Sequence, residues 1–546
     1  MKAPHFDAII IGAGVSGMYM LHRLRESGLT TRVYEAGGGV GGTWYWNRYP
    51  GARCDTDAYL YCYTFDKDLL QEWDWSGRYP GQQEILSYLE HVADRFDLRR
   101  DIQFNTRVTG ARFRESDGTW DVRVDNGGRV TARFLITALG CLSAAQMPDI
   151  KGRERFAGAS YHTSAWPHES VDFRHKRVGV IGTGSTGVQA IPVIAAEADH
   201  LYVFQRTANY SVPARHERVD CQVLRDVKDR YEEIWNKCRT TTAGYPIDPS
   251  PMSVLQLSEA ERRAHYEQWW AEGGFVHVYI FDDIWLDRRA NDTAAEFIRA
   301  KIRATVKDPD TAEKLTPFDH PFGSKRPLID THYFETYNRN NVTLIDIRHA
   351  PIAEITSTGI QTVDDHYELD IIIFATGFDA MTGAYNRIDI RGRGGVALKA
   401  KWSNGPRAYL GHAVAGFPNL FMVAGPGSDA PLTNYPLCIE GHCNWIAGAI
   451  AHAQECGTGT IEAEADAEDA WVNHVRELAE PTLYMQADSW HLGANVPGKP
   501  RMFPMYLGGL AAFRAKCDEI AAGGYKGFLV QSVLPRHSGE GDRQNG

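Results

Sequence analysis

Paired cysteines are missing from this chain. Its 546 residues include nine cysteines, an odd number, with no CxxC pair and no His/Cys spacing typical of a zinc site. This pattern predicts free thiols in a reducing compartment and no bound metal. It also argues against a flavin disulfide reductase, because such an enzyme works through paired redox cysteines.

Neither an excess of basic charge nor a long apolar run is present. The chain has 58 Lys and Arg against 69 Asp and Glu, and the net charge of −11 argues against a general nucleic-acid binder. Its most apolar stretch, Ala8 to Leu21, is interrupted by three glycines and a serine and is too short to cross a bilayer. A strand is expected near the start, where a signal peptide would have a charged and then an apolar region. We therefore expect a cytoplasmic enzyme without membrane or nucleic-acid partners; a monomer is the default expectation, because the sequence does not indicate an oligomeric state.

A hydrolase nucleophile elbow is also absent, because no GxSxG occurs in the chain. At 546 residues the chain is too long for one simple core, so two or three domains are expected.

Two glycine-rich dinucleotide fingerprints are what the chain does contain. The first is GAGVSG, with Gly12, Gly14 and Gly17, and it lies between an apolar strand over 6–11 and a helix. Glycines let the backbone approach a pyrophosphate, whose negative charge is favoured at the helix N-terminus. Glu35 ends the next strand, 18 residues after Gly17, where a carboxylate accepts hydrogen bonds from a ribose 2′-hydroxyl and repels a 2′-phosphate. This first site therefore predicts FAD or NAD.

The second fingerprint is GTGSTG, which follows an apolar strand over 177–181. Its candidate pyrophosphate contacts are Gly182, Gly184, Ser185 and Gly187. The next strand ends in Arg206 and Thr207, where an NAD-binding site keeps an acid. A cation in that place is expected to bind a 2′-phosphate, so the second site predicts NADPH in preference to NADH.

A segment between the two fingerprints carries the most specific pattern of the chain. It reads FAGASYHTSAWP, and its fixed positions are Phe156, Gly158, His162, Trp166 and Pro167. For any one of these residues, a linker whose His and Trp merely pack is an equal alternative. The whole pattern resembles FxGxxxHxxxW followed by Pro or Asp, the signature of the flavin-dependent Baeyer–Villiger monooxygenases.

The resemblance covers about residues 5–530 and includes the loop after Glu35, GGTWYWNRYPGARCD. In the family, glycines of this loop approach the flavin phosphates and its Asp, here Asp55, lies near the isoalloxazine. The residues that we expect to bind the flavin nucleotide here are Gly42, Thr43, Trp44, Asp55 and Tyr61. Ordinary core packing is the alternative for the tryptophans, and Cys54 is interpreted as a small buried hydrophobe.

Two later segments also resemble the family. HPFGSKRP contains Lys325 and Arg326, and the resemblance implies that Lys325 helps to hold the NADP 2′-phosphate while Arg326 lies beside the flavin. SWHLGANVPGKPR resembles a mobile segment that closes over NADP, with Trp490 at the position that reaches inward.

The resemblance implies FAD and NADPH as cofactors and a ketone as substrate. NADPH reduces FAD, oxygen adds at the flavin C4a, and the resulting peroxide converts the ketone to an ester or lactone; sulfoxidation can accompany this reaction. Arg326 is the candidate for stabilising negative charge, because a guanidinium is effectively never neutral, and Asp55 would orient it. His162 is interpreted as a positioning residue. Linear, cyclic, aryl and steroid ketones all stay open.

These features predict an α/β fold with two Rossmann-like dinucleotide-binding domains, for FAD and NADP, and a helical insertion. The predicted FAD domain spans 1–140 and 380–533, and the predicted NADP domain spans 141–215 and 324–379. The helical insertion is expected over 216–323, and a disordered tail over 534–546.

Two other functions stay open. An N-hydroxylating or heteroatom-oxidising monooxygenase also has two nucleotide folds, although its FxGxxxH motif usually lacks the Trp-Pro or Trp-Asp that follows here. A non-catalytic redox sensor could keep both fingerprints, but it would have no reason to retain Asp55, Arg326 and the closing segment together.

Overall fold

A computed structural model describes residues 4–247, 250–274, 281–430, 432–457 and 459–531. The strands assigned in this part of the chain are β1 (His5–Ile11), β2 (Thr31–Tyr34), β3 (Ile102–Gln103), β4 (Val108–Arg114), β5 (Thr119–Val124), β6 (Arg129–Thr137), β7 (Ala159–His162), β8 (Arg177–Ile181), β9 (His200–Gln205), β10 (Ser211–Pro213), β11 (Leu328–Asp330), β12 (Val342–Asp346), β13 (Ile352–Ile355), β14 (Gly359–Thr362), β15 (His366–Glu368), β16 (Ile371–Phe374), β17 (Asp389–Arg391), β18 (Leu420–Met422), β19 (Thr460–Ala463) and β20 (Phe528–Gln531).

The α-helices of the same residues are α1 (Val15–Glu26), α2 (Thr43–Trp46), α3 (Lys67–Glu72), α4 (Gln82–Arg95), α5 (Ser185–Glu197), α6 (Cys221–Asp229), α7 (Tyr231–Cys238), α8 (Glu259–Glu272), α9 (Arg288–Thr305), α10 (Pro309–Leu315), α11 (Tyr333–Thr336), α12 (Leu398–Lys401), α13 (Tyr435–Glu455), α14 (Ala465–Ala479) and α15 (Leu510–Ala522). Within the described ranges, none of these helices combines the length and the apolar character that a bilayer crossing needs.

The larger sheet is built around β1. Its strands follow the order β17-β4-β5-β6-β1-β2-β3, and β18 also pairs with β6. Strand β1 runs parallel to β2 and β6, while β4, β5 and β6 form an antiparallel meander. The last four residues of β1 are buried, as expected for an apolar strand that is covered on both faces of a sheet. Helices α1 and α13 pack against each other beside it.

The second sheet is parallel throughout, in the order β12-β9-β8-β16-β7. Helix α5 follows β8 directly and packs on it. Since parallel strands have their carboxyl ends at the same edge, the turn after β8 lies beside the residues that follow β9 and β12. This edge is where a doubly wound sheet binds its ligand.

The helical insertion begins after β10 and ends before β11, and these two short strands pair with each other in a separate two-stranded sheet. Between them, the helices α6 to α10 are the regular elements that the described residues form, together with short 3-10 turns. The predicted fold class, with two Rossmann-type sheets and a helical insertion, is confirmed by this arrangement.

The two chain segments that connect the sheets run side by side. Residues 141–146 pair with 377–381 through backbone hydrogen bonds, which include Gln146 N–H to the Gly377 carbonyl at 2.9 Å and Asp379 N–H to the Ala144 carbonyl at 2.8 Å. The connection is thus a short two-stranded ribbon, which restrains the two sheets more than a single connecting segment would.

Two segments that the residue pattern predicts as single elements are divided in the structure. The pattern of 103–113 predicts one strand, but Asn105 adopts a left-handed φ of +50° between β3 and β4. The pattern of 224–238 predicts one helix, but the structure has two helices that meet at Arg230, and α7 has buried residues whereas α6 has none. The predicted disordered tail, 534–546, lies outside the described residues.

Candidate functional site

The first glycine-rich turn joins β1 to α1 and allows close backbone approach. Gly12 has a φ of +103°, and a Cβ there would lie 2.6 Å from the Ala138 carbonyl oxygen. A Cβ at Gly17 would overlap the Gly12 carbonyl oxygen. Gly14 is the N-cap residue of α1, so the first N–H groups of the helix are available to bind an anion in front of this turn.

Glu35 lies beside this turn, immediately after β2, and is buried. Its Oε2 accepts the N–H of Ala13 at 2.8 Å, and its Oε1 accepts the N–H of Gly37 at 2.7 Å. Each carboxylate oxygen retains acceptor capacity, so the group can also accept hydrogen bonds from ribose hydroxyls. The arrangement fits the ribose of a nucleotide that lacks a 2′-phosphate.

The loop after Glu35 brings a second glycine backbone against the first. Gly42 has a φ of +53°, and a Cβ there would lie 2.8 Å from the Cα of Gly14. Trp44 is buried in α2 and donates its Nε1–H to the Tyr61 hydroxyl at 3.0 Å, while Thr43, the first residue of α2, is exposed. These residues form one wall next to the first glycine turn, which fits a flavin nucleotide held at its phosphates.

Asp55 forms an ion pair with Arg326, which is 271 residues further along the chain. Arg326 donates to Asp55 Oδ2 through Nη2 at 2.8 Å and through Nε at 3.2 Å. Both side chains are partly buried, with exposed fractions of 33% and 23% for Arg326 and Asp55. The structure thus brings the two predicted catalytic residues into direct contact.

Three titratable groups near Arg326 are neutral. Burial and the Arg326 guanidinium lower the pKa of His491 to about 3. Burial raises the pKa of the Cys141 thiol to about 11 and also raises the pKa of the Cys54 thiol. These three neighbours of the Arg326–Asp55 ion pair are therefore uncharged near neutral pH.

The segment that contains Trp490 packs beside this pair. Trp490 is partly buried and contacts His491 edge-on, with ring centroids 4.1 Å apart. Further along the segment, Lys499 Nζ lies 2.5 Å from Asp379 Oδ1 and 2.6 Å from the Ala380 carbonyl oxygen. The segment is therefore fixed to the ribbon that connects the two sheets.

The second glycine-rich turn, between β8 and α5, repeats the geometry of the first. Gly182 has a φ of +109°, and a Cβ there would lie 2.5 Å from the Ala375 carbonyl oxygen. A Cβ at Gly187 would overlap the Gly182 carbonyl oxygen. Gly184 is the N-cap of α5, and apart from its two chain neighbours no described residue comes within 4 Å of its Cβ position; Ser185, the next residue, is exposed. The open space before this helix N-terminus is the room that a second pyrophosphate needs.

Cations gather at the ends of β9 and β12. Arg206 and Thr207 directly follow β9, as expected from the sequence. Burial, together with the cations Arg206 and Arg348, lowers the pKa of the nearby Lys325. Arg348 lies two residues beyond β12, and the sequence does not identify it because its position depends on the pairing of β12 with β9. This group fits a 2′-phosphate.

Lys325 and Arg326 are consecutive, yet they serve different parts of the site. Lys325 lies among the cations at the end of β9, with Asp319 also nearby, whereas Arg326 binds Asp55. The dipeptide thus links the expected 2′-phosphate site to the expected flavin side.

The FAGASYHTSAWP segment contains β7, the edge strand of the second sheet. Gly158 passes so close to the start of β16 that a Cβ would lie 2.5 Å from a backbone oxygen of that segment. Trp166 is buried and packs on Tyr161, with ring centroids 5.2 Å apart. Phe156 and Pro167, at the two ends of the pattern, are partly buried. The segment fixes the second sheet to its connection.

His162 is the buried last residue of β7. Its Nδ1 accepts the N–H of Ser164 at 3.2 Å, and its Nε2 lies 3.3 Å from Oγ1 of Thr376. Thr376 in turn donates to the carbonyl oxygen of Gln146 at 2.7 Å, so His162 contacts one strand of the connecting ribbon and, through it, the other. Burial lowers the pKa of His162, which favours a neutral positioning group over a proton carrier.

Gln189, in α5, connects this helix to the loop that leads to Asp55. Its Oε1 accepts the Tyr49 hydroxyl at 2.8 Å and the Arg53 N–H at 3.4 Å, and its Nε2 donates to the Arg53 carbonyl at 3.2 Å. The sequence gives no motif for a lone Gln one turn inside a helix, so only the tertiary structure identifies this contact.

One buried group has ligand types that metals use, namely Asp429, Cys438 and His442. His442 Nε2 lies 2.7 Å from Asp429 Oδ1, and His442 Nδ1 accepts the N–H of Ala424 at 3.2 Å. Burial raises the pKa of the Cys438 thiol, so it stays protonated. Because both imidazole nitrogens are engaged, the group is better described as an internal hydrogen-bond network.

The chain is similar to known proteins over almost its whole length. Residues 9–246 match the family described as pyridine nucleotide-disulphide oxidoreductase. A Baeyer-Villiger monooxygenase from Pseudooceanicola batsensis is 46% identical over 528 residues, which cover 96% of each chain. A phenazine N-monooxygenase from Lysobacter antibioticus is 45% identical over 532 residues, which cover 97% of each chain. The structure of an oxidised steroid monooxygenase bound to NADP matches with a TM-score of 0.93 and 50% identity, over 97% of this chain and 100% of that one.

Proposed function

This chain belongs to the Baeyer–Villiger monooxygenase family, and from that premise we propose that it oxidises ketones to esters or lactones with O2 and NADPH. FAD, once reduced by NADPH, supplies the activated oxygen, and the protein binds, orients and shields the reactants. Sulfide oxidation accompanies this activity when a sulfide occupies the same pocket. The contact between Arg326 and Asp55 carries the proposal, because it places a permanent cation beside the flavin-side wall.

FAD would be held by the first glycine turn and the loop after it. The N-terminus of α1 would bind the pyrophosphate, where Gly14 and Gly42 leave room for it, and Glu35 would accept the ribose hydroxyls. NADPH would be held by the second turn, with Arg206, Thr207 and Lys325 around its 2′-phosphate.

Arg326 would stabilise the negative charge that develops on the carbonyl oxygen of the ketone during attack. A guanidinium stays protonated and presents several donors, and the pair with Asp55, which engages Nε and Nη2, fixes its orientation. Neutral surroundings, among them His491, strengthen this electrostatic effect because they add no competing charge. His162 would act at a distance, by holding the second sheet in place.

Water exclusion is the proposed role of the segment around Trp490. Together with Leu492 and Phe503, this residue belongs to an apolar cluster that also includes Met381 and Leu142 from the connecting ribbon. An apolar cover over the reaction site keeps water from the activated oxygen, whose loss would produce hydrogen peroxide in place of product.

We expect the Lys499→Met variant to lose part of this cover. The exposed fractions of Lys499 and Asp379 are 14% and 20%, so the change leaves a carboxylate that is largely buried without its cation. Loss of a hydrogen bond to a charged group costs about 1.5–3 kcal/mol, which would open the segment and raise the hydrogen peroxide yield per NADPH severalfold.

Peroxide and ester yields, measured together with NADPH consumption, check this. Arg501→Gln is the matched control, because the ion pair of Arg501 with Asp488 is exposed on both sides (56% and 77%) and should contribute little. Equal peroxide yields in the wild type and in Lys499→Met would contradict the proposed cover.

Product mass is the decisive experiment for the proposed function. The purified holoenzyme is incubated with NADPH, air and a panel of linear, cyclic, aryl and steroid ketones. An ester or lactone heavier by one oxygen atom supports the proposal, and isotopically labelled O2 identifies the source of that atom. NADPH consumption that yields hydrogen peroxide with every ketone counts against ketone oxidation.

Oxidation of a ring nitrogen is the second candidate function. The observation that favours it is the 45% identity to a phenazine N-monooxygenase, which is almost equal to the identity to the Baeyer–Villiger relative. Including aromatic N-heterocycles and sulfides in the same panel separates the two: an N-oxide without any ester would replace ketone oxidation as the conclusion.

We also propose domain boundaries, a cellular location and an oligomeric state for this enzyme. We place the FAD domain at 1–140 and 380–533 and the NADP domain at 141–215 and 324–379, and limited proteolysis would test these boundaries. A cytoplasmic location is supported by the nine cysteines, all of which are free thiols. A monomer is proposed, and light scattering of the holoenzyme would test it.

A further inference from the structure

Arg348 holds the turn that follows β9. It donates through Nε to the Arg206 carbonyl oxygen at 3.2 Å and through Nη2 to Thr207 Oγ1 at 3.2 Å. The same Nη2 lies 2.6 Å from Asp319 Oδ2. One guanidinium therefore connects the two residues at the end of β9 to the segment just before Lys325.

The location of Arg348 follows from the strand order. Strands β12 and β9 are parallel neighbours, and Asp346, the last residue of β12, is in register with Gln205, the last residue of β9. Arg348 and Arg206 thus extend past the same edge of the sheet, beside the open N-terminus of α5. A residue at this place can reach the group that Arg206 binds.

The charged groups around Arg348 also indicate a phosphate site. Burial lowers the pKa of Lys325, and Arg206 and Arg348 are both close enough to lower it further. Asp319 lies among these three cations, paired with Arg348 and also with His320 Nδ1 at 2.6 Å. Three cations around one carboxylate make a site where an additional phosphate is electrostatically favoured.

We propose that Arg348 is a specificity-determining residue for the coenzyme, which positions the Arg206–Thr207 turn and adds a third cation toward the 2′-phosphate of NADPH. This inference rests on the proposed use of NADPH. An ordinary surface ion pair would account for the contact with Asp319, but not for the two further hydrogen bonds to Arg206 and Thr207.

The test measures the binding of NADP+ and of NAD+ to the FAD-loaded Arg348→Gln variant by titration calorimetry. We expect the Kd for NADP+ to rise by about tenfold or more, which is the effect of losing a hydrogen bond to a charged group. NAD+ lacks the 2′-phosphate, so its Kd should change by less than about twofold, within the usual effect of a surface substitution. Arg348→Lys keeps the charge but not the planar fork, so it should recover part of the NADP+ affinity.

Arg174→Gln is the matched control, since Arg174 is an exposed guanidinium that pairs bidentately with Asp172 before β8, away from the glycine turn. It should leave both Kd values unchanged. Equal losses of NADP+ and NAD+ affinity in Arg348→Gln would mean that Arg348 has a merely structural role. No loss of affinity would mean that Arg348 does not contribute to coenzyme binding. Either result overturns the proposal. A wild-type enzyme that binds NAD+ as tightly as NADP+ would instead refute the NADPH assignment itself.

Discussion

The Arg326→Ala variant should form ester at about one hundredth to one thousandth of the wild-type rate, the loss found when a single preorganised electrostatic donor is removed from an active site. The variant loses the permanent cation that the structure places against Asp55. NADPH should still be consumed, with hydrogen peroxide as the product in place of ester. Ester yield and peroxide yield per NADPH, measured with the same ketone, give the result.

Arg326→Lys is the informative companion to this variant. It retains a cation but cannot reproduce the donation from Nε and Nη2 to Asp55 Oδ2, so a rate between those of the alanine variant and the wild type is expected. A double-mutant cycle with Asp55→Ala measures how much of the loss comes from leaving that carboxylate without its partner. Ester formation at near wild-type rate in Arg326→Ala would show that the assignment is wrong.

The Gly182→Ala variant is expected to lose NADPH-dependent flavin reduction by about a hundredfold at limiting coenzyme. Alanine at a φ of +109° is strained by about 1–3 kcal/mol, and its Cβ would lie 2.5 Å from the Ala375 carbonyl oxygen. The turn must therefore shift away from the position in which it accepts a pyrophosphate, and about 2.7 kcal/mol of lost affinity corresponds to a hundredfold. FAD should stay bound, because its glycine turn lies in the other sheet.

Gly184→Ala separates backbone strain from loss of ligand space. Its φ of −78° suits alanine, and apart from its two chain neighbours no described residue comes within 4 Å of the new Cβ, so the melting temperature should match that of the wild type. Coenzyme affinity should nevertheless fall, because the methyl group would occupy the space of the pyrophosphate. Stopped-flow reduction and melting temperatures of both variants check these expectations. Rapid reduction in Gly182→Ala would mean that this turn is not the NADPH site.

Short-range sequence patterns predict the two nucleotide-binding sheets because the determinants lie within a few residues of each other. An apolar strand, three spaced glycines and a helix start are all local, and the residue at the end of the following strand is reached by counting. In this way Glu35 and Arg206 distinguish the two sites from the sequence alone, and both residues do follow the predicted strands. The interruption at Asn105 does not follow from the apolar pattern; in the structure its left-handed φ occurs together with a hydrogen bond from its N–H to the Gly37 carbonyl at 2.9 Å.

Contacts between residues that are distant in the chain are known only from the folded structure. Asp55 and Arg326 are 271 residues apart, and no periodicity relates them; their contact exists because the chain returns from the helical insertion beside the loop that contains Asp55. Arg348 reaches Arg206 only because β12 pairs with β9. Local spacing and strand-end chemistry are therefore enough to predict the fold class and the kind of nucleotide expected at each turn. The relative positions of the charged side chains in the site could not be predicted in this way, because long-range strand pairing, and not local propensity, brings those side chains together.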